Sequence, residues 1–229
     1  VLLPSLSKAI KKNDQKEIQV TQNRSLEFCF LISIPSAIGL YILSKPIIYI
    51  LFERGAFLSS DTLYTAKVLS MFALGLPAYI LIKVLVTCFF AREDTKTPLY
   101  VSLVSVVINI ILSLILIQSM RESGIALATA ISAWVNTLAL YAMLKMRDNI
   151  TLDSRLINHS VKTIICSIIM GVACYYLNLT FFHHMNMHST ANNVVALIVA
   201  IVACNIIYMT MIFMLKVLTI DELKGFIKN

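Results

Sequence analysis

Two rows of uncharged polar residues sit in apolar surroundings in the middle of the chain. Ser102, Ser105, Asn109 and Ser113 follow one another at spacings of three, four and four, and Thr129, Ser132 and Asn136 at three and four. That spacing puts each row on one face of a helix. Inside lipid, such amides and hydroxyls either hydrogen-bond a neighbouring helix or face an ion or polar substrate, and both readings stand. The small residues Ala126, Ala130 and Ala133 accompany the second row, and the short link Gln118 to Ser123 predicts an antiparallel pair of helices. Their rows then face each other or a shared cavity.

Lys83 is the second candidate, because a lysine at the centre of a membrane helix costs about 2.5–3.5 kcal/mol. It precedes Ala91 by eight residues, about 12 Å along a helix. Either its stem snorkels towards headgroups, or its ammonium faces an interior aqueous cavity and attracts an anion such as a phosphate.

Catalytic and metal chemistry find no support. Asp94, Asp148, Asp153 and Asp221 fall at expected helix ends, where carboxylates cap or stay solvated. No Ser/His/Asp or Cys/His set can be assembled, and there is no GxxxxGK[ST] loop for a nucleotide. His184 and His188 have HxxxH spacing, but with His183 they occupy a loop without a Glu or Cys partner, which reads as a polar interfacial segment. Cys29, Cys88, Cys166, Cys174 and Cys204 all lie in apolar stretches without a CxxC and read as small core residues. The expectation is a chain that is not an enzyme and holds no metal or cofactor.

The elements that must position these residues are legible from composition. The 229 residues are 59% hydrophobic and 14% charged, against about 45–50% and about 25% in soluble domains. Too few charges remain to cover a water-facing surface, which excludes a soluble enzyme or a disordered tail. Each bilayer crossing takes about 20 apolar residues, and six such segments can be marked. They run from Leu26 to Leu43, with an amphipathic extension to Phe52, then from Asp61 to Ala91, Pro98 to Ile117, Gly124 to Leu144, Leu156 to Leu179 and Ala191 to Leu215. The second, about 46 Å long at 1.5 Å per residue, must tilt, bend or protrude, and Pro77 is the natural place for a bend. Pro35 and Pro77 break the backbone ladder within two crossings, either as static kinks or as bends that change during transport. Asp61 is placed to N-cap the second helix, Pro98 to occupy the first turn of the third, and Gly124 to open the fourth.

Alternating the loops between two sides tests the count. Fourteen of the 19 Lys and Arg residues then fall on one side and only Lys45, Arg54 and Arg121 on the other, with Lys67 and Lys83 inside the second segment. An asymmetry this large predicts six crossings and both chain ends in the cytoplasm. The net charge of +7 accordingly reports topology and not nucleic acid. Val1 to Ile10 lacks the layout of a signal peptide and reads as the end of an element whose start is missing, so the chain is expected to be a fragment.

Four stretches, in order and spacing, carry a resemblance: VLLPSLS at Val1 to Ser7, LFERGAF at Leu51 to Phe57, KVLVTCFFAREDTKTP at Lys83 to Pro98 and GIALATAISAWVN at Gly124 to Asn136. Together they resemble the MurJ/MviN lipid II flippases of the multidrug/oligosaccharidyl-lipid/polysaccharide (MOP) exporter superfamily. The similarity runs through essentially the whole chain and is weakest in the last two crossings.

The resemblance implies an all-α polytopic membrane protein forming the C-terminal part of a 14-helix MOP-type flippase. Residues 1–25 would be the end of a preceding helix plus a basic cytoplasmic loop, residues 26–148 four helices of the second lobe, and residues 149–229 two additional helices and a tail. The implied function is translocation of lipid II, an undecaprenyl-pyrophosphate-linked disaccharide pentapeptide, across the bacterial inner membrane for cell-wall synthesis. It would proceed by alternating access driven by the membrane potential or an ion gradient. The fragment would be inactive without the missing N-terminal lobe. The alternatives are a flippase for another polyprenyl-linked oligosaccharide, a MOP-type antiporter, or a non-transporting structural membrane protein. The family's pyrophosphate-binding arginines belong to a region absent here, which leaves Lys83 as the candidate for substrate. In some members a sodium ion is bound between helices, and onto that pattern map Asn109, Thr129 and the Ile125 carbonyl. Ser113 stands where a carboxylate is expected, which favours a proton or the potential alone over sodium.

Overall fold

The structure, a computed structural model, describes residues 2–182 and 190–217. His183, His184, His188 and Asp221 lie outside the described residues. Among the described residues there are seven helices and no strand: α1 (Leu2–Lys11), α2 (Gln15–Phe52), α3 (Ser59–Phe90), α4 (Lys96–Met120), α5 (Glu122–Met146), α6 (Ser154–Phe182) and α7 (Thr190–Met214). The last six are long and apolar enough to cross a membrane, as expected. Exposed Leu103, Val107, Ile110 and Leu114 on α4, on a helix that buries little besides Thr97, Pro98 and Ser105, show a surface suited to lipid and not to water.

Helix α2 begins eleven residues earlier than the sequence suggests. The stretch 15–25, read as a basic loop, is helical, and the Asp14 carboxylate caps it by accepting from the Glu17 N–H at 3.0 Å. The reason lies far along the chain. Buried Gln22 donates to the Asn149 carbonyl (3.2 Å) and buried Asn23 to the Thr151 carbonyl (2.9 Å), while Arg92 adds a second donor to Asn149 (3.0 Å). The α5–α6 connection thus has its carbonyls satisfied by the polar first turns of α2, which must be helical to present them. The extension after Lys45 and Pro46 is likewise continuous helix to Phe52, so α2 spans about 57 Å.

Asp61 also acts differently from expectation. Helix α3 starts at Ser59, and the Asp61 carboxylate reaches back to accept the Leu58 N–H at 2.9 Å. It supplies the third-position half of a capping box and not the cap itself. In the preceding turn Gly55 adopts φ +61°, a left-handed conformation that costs glycine nothing.

Two hydrophobic clusters share α2. One gathers Leu6 of α1, Leu26 of α2, Leu85 and Phe89 of α3 and Leu140 and Leu144 of α5. The other gathers Leu31 and Leu43 of α2, Cys166 and Met170 of α6 and Cys204 and Ile212 of α7. Helix α3 lies between α2 and α5, α4 packs on α5, and the α6–α7 pair docks on the other flank of α2. All five cysteines are buried and unpaired with one another by disulfides.

The prolines govern how the second cluster attaches. A proline has no N–H for the carbonyl four residues earlier. In α2 that leaves Leu31 free before Pro35 and Ile42 free before Pro46. Tyr208 of α7 donates its hydroxyl to the Leu31 carbonyl at 2.6 Å, and Asn178 of α6 donates to the Ile42 carbonyl at 3.3 Å. Within lipid no water could satisfy these carbonyls.

Candidate functional site

The α4–α5 hairpin positions the two polar rows. Its link is a single residue, Arg121, with φ 52°. Gly124 lets the helices meet there, since a Cβ at this position would lie 2.4 Å from the Leu116 carbonyl oxygen. At the other end of the hairpin, Asp94 receives the Thr97 N–H (3.0 Å), the Thr97 hydroxyl (2.6 Å) and Arg147 Nη1 (2.6 Å). The Thr97 hydrogen bonds first, and then Arg147, hold the Asp94 carboxyl down at about 2. Arg147, from the end of α5, also donates to Thr97 Oγ1 at 3.0 Å. Both ends of the hairpin are therefore fixed, and the rows between them face each other.

Asn109 is the centre of the contact. Its Nδ2 donates to Ser132 Oγ (3.0 Å) and Thr129 Oγ1 (3.3 Å), and its Oδ1 accepts from Ser113 (3.1 Å). Thr129 in turn donates to the Ile125 carbonyl (2.9 Å) and Ser132 to the Thr129 carbonyl (3.0 Å). The structure brings Asn109, Ser113, Ile125 and Thr129 into one network and adds Ser132. The hydroxyls of Ser113, Thr129 and Ser132 each donate to an oxygen of this network, which contains no carboxylate. A cation placed among these oxygens would have to displace existing donors and would find no negative charge to offset its own, so the arrangement does not fit sodium as it stands.

Beside this network lies a cavity of about 330 Å³ between α3, α4 and α5, reached by Ser102, Ser105, Asn109, Asn136 and Tyr79. Tyr79 is a member that the sequence reading passed over, although it stands one helical turn before Lys83 on the same segment. The fit of α5 on α3 is also made by residues that the sequence reading passed over. Trp134 Nε1 donates to the Leu74 carbonyl (3.0 Å) and Thr137 to the Ala78 carbonyl (3.2 Å). Both acceptors flank Pro77, but the carbonyl that this proline leaves without its helical N–H is that of Ala73, so these bonds lie beside the broken turn and do not fill it.

Lys83 stands apart from this network. Its side chain is exposed on α3, one turn beyond Tyr79, and its own carbonyl accepts the Thr87 hydroxyl at 2.7 Å. Among the described residues no group of three His, Cys, Asp or Glu side chains could hold a metal ion.

The model of the family described as "Lipid II flippase MurJ" matches residues 1–196. The chain is 41% identical over 175 residues to a probable lipid II flippase MurJ of Rhizobium meliloti, covering 76% of this chain and 33% of that protein. It is 38% identical over 190 residues to the counterpart from Rickettsia prowazekii, covering 81% and 38%. With that of Buchnera aphidicola from Acyrthosiphon pisum it shares 31% over 229 residues, covering 100% and 44%. The chain thus spans between a third and a half of these relatives' length. A solved structure, "Lipid II flippase MurJ, inward closed conformation", superposes with a TM-score of 0.72 at 30% identity, over 94% of this chain and 43% of that one.

Proposed function

Because the chain belongs to the lipid II flippase MurJ family, we propose that it supplies the helices α2–α5 as part of one lobe of a lipid II flippase. On this reading α6 and α7 are an appended pair, and the protein works in the inner membrane of a bacterium. It moves lipid II to the outer leaflet without making or breaking a covalent bond. The observation that carries the reading is the match of 94% of the chain, at 30% identity, to a solved flippase of this family.

The physical task is to carry an anionic pyrophosphate and its glycan across lipid while the polyprenyl tail stays in it. Lys83 offers an ammonium partway along α3 for that anion. A charge on this side chain is tolerable beside water or a phosphate and costly in bare hydrocarbon. The excess of Lys and Arg on one set of loops supports a cytoplasmic side for both ends on this reading.

Helix α4 packs chiefly on α5 and leaves most of its surface uncovered. A transport path needs a second wall, and further helices of the kind its longer relatives possess would provide it. Without them the chain does not flip lipid II. Coupling proceeds without sodium at Asn109, since the network there is complete and neutral, and the membrane potential or a proton drives the cycle.

Depletion of the protein in a cell with no other lipid II flippase tests the proposal. Lipid II reaching the outer leaflet should fall, and restoring the protein should recover it. Unchanged translocation after depletion would remove the assignment.

A further inference from the structure

Helix α7 packs on α6 and α2 through Ala200, Cys204, Tyr208 and Ile212. Its opposite face carries a different pattern. There Val195, Ile198, Val202, Asn205 and Met209 follow one another at spacings of three, four, three and four, and all five are exposed. This is the seven-residue repeat with which two helices pair side by side. Val202, Asn205, Met209 and Phe213 edge one shallow depression on this face.

Asn205 precedes the end of the helix at Met214 by nine residues, about 14 Å along its axis, so its amide lies within the hydrocarbon layer. Its Nδ2 donates to the Ile201 carbonyl of its own helix at 2.9 Å. Among the described residues the Oδ1 and the second N–H bond nothing. Lipid tails offer neither donor nor acceptor, so an amide turned outward at this depth costs free energy until another polar group meets it. Thr210 is exposed without that need, since its hydroxyl is spent on the Ile206 carbonyl at 2.7 Å.

An amide carries both a donor and an acceptor, so the group that completes it best is a second amide. Two copies of one membrane protein share an orientation, which makes their α7 helices parallel. Side by side and in register, each Asn205 N–H then reaches the Oδ1 of the other, while the apolar seam residues interlock. A single asparagine in an otherwise apolar seam fixes the register and the pairing in twos, and amides bond across membrane helices. A lipid tail would cover the apolar positions equally well but would leave the amide bare.

We propose that the exposed face of α7 is the contact between two copies of the protein, with Asn205 paired to its counterpart across a two-fold axis normal to the membrane. The proposal goes beyond the flippase reading and does not depend on it.

Oxidative crosslinking of the intact protein in its native membrane reads the contact directly. Val202→Cys should give several-fold more covalent dimer than Ile168→Cys, a similarly exposed site on α6. Equal yields from the two sites, or Val202→Cys adducts with other proteins only, would overturn the proposal. A second measurement needs no cysteine. Single-molecule photobleaching in phosphatidylglycerol and phosphatidylethanolamine vesicles counts copies as the protein is diluted in lipid. The wild type should show a two-copy fraction that Asn205→Leu lowers several-fold and Asn205→Gln largely preserves. Leucine suits a lipid-facing helix, so that variant still inserts. A single copy at every dilution, the result if lipid tails cover the seam, or an unchanged two-copy fraction in Asn205→Leu would overturn the proposal.

Discussion

The hydroxyl of Tyr208 on α7 takes the one carbonyl of α2, that of Leu31, which Pro35 leaves without its helical N–H. Donor and vacancy lie 177 positions apart in the chain. Tyr208→Phe should therefore cost about 1 kcal/mol, within the range of hydrogen bonds between membrane helices. In Pro35→Ala the helix regains its own donor, and the same Tyr208→Phe change should then cost much less. A double-mutant cycle on melting temperature measures the difference. Equal costs in both backgrounds would show that the proline does not create the socket.

Asn109 makes two hydrogen bonds from α4 to α5, to Thr129 and Ser132. At about 0.6 kcal/mol for each interhelical bond, Asn109→Ala should lower stability by about 1 kcal/mol. If the network works as a neutral clasp, transport by the intact protein should show no sodium dependence before or after the change. A sodium requirement that vanishes in Asn109→Ala would show that the amide binds the ion.

The Gly124 position has no room for a side chain, because a Cβ would sit 2.4 Å from the Leu116 backbone. Gly124→Val should force the α4 and α5 ends apart and cost on the order of 1–3 kcal/mol, as overpacking does. Crosslinking of cysteines placed at Ser113 and Thr129 should fall in the valine variant. Unchanged crosslinking would mean that the link relaxes without cost.

Asp94 stays ionised unusually far into acid because Thr97 and, after it, Arg147 bond its carboxylate. A depressed carboxyl stabilises the fold above its ordinary range near 3.8 and loses that contribution as pH falls towards about 2. Thr97→Val should raise the carboxyl's titration midpoint more than Arg147→Gln does, as read by carboxyl NMR. The variants should also lose structure at a higher pH on acidification. Identical acid profiles for wild type and Thr97→Val would reject this account.

Lys83→Ala should impair flipping while leaving membrane insertion intact, and Lys83→Arg should retain most activity by keeping the charge. The measurement is growth and outer-leaflet lipid II in cells that rely on the variant alone. Normal growth on Lys83→Ala would assign the lysine to snorkelling.

The six crossings were legible in the sequence because a fixed rise per residue turns apolar run length directly into span. The facing rows on α4 and α5 were legible too, since Ser105, Asn109, Thr129 and Ser132 recur at helical spacing. The early start of α2 was not, because the partners of Gln22 and Asn23 are main-chain carbonyls more than a hundred residues away. Tyr79 escaped for a related reason. Its spacing of four from Lys83 is that of one helix face, but that the hydroxyl lacks a partner depends on how the folded chain packs around it.

The two notched turns of α2 give the molecule a mechanical property. Tyr208 and Asn178 grip main-chain atoms instead of neighbouring side chains, so α6 and α7 are pinned to the rod itself. If that rod rocks, its two outer companions travel with it as luggage, and the lipid in contact with them is dragged along the same arc.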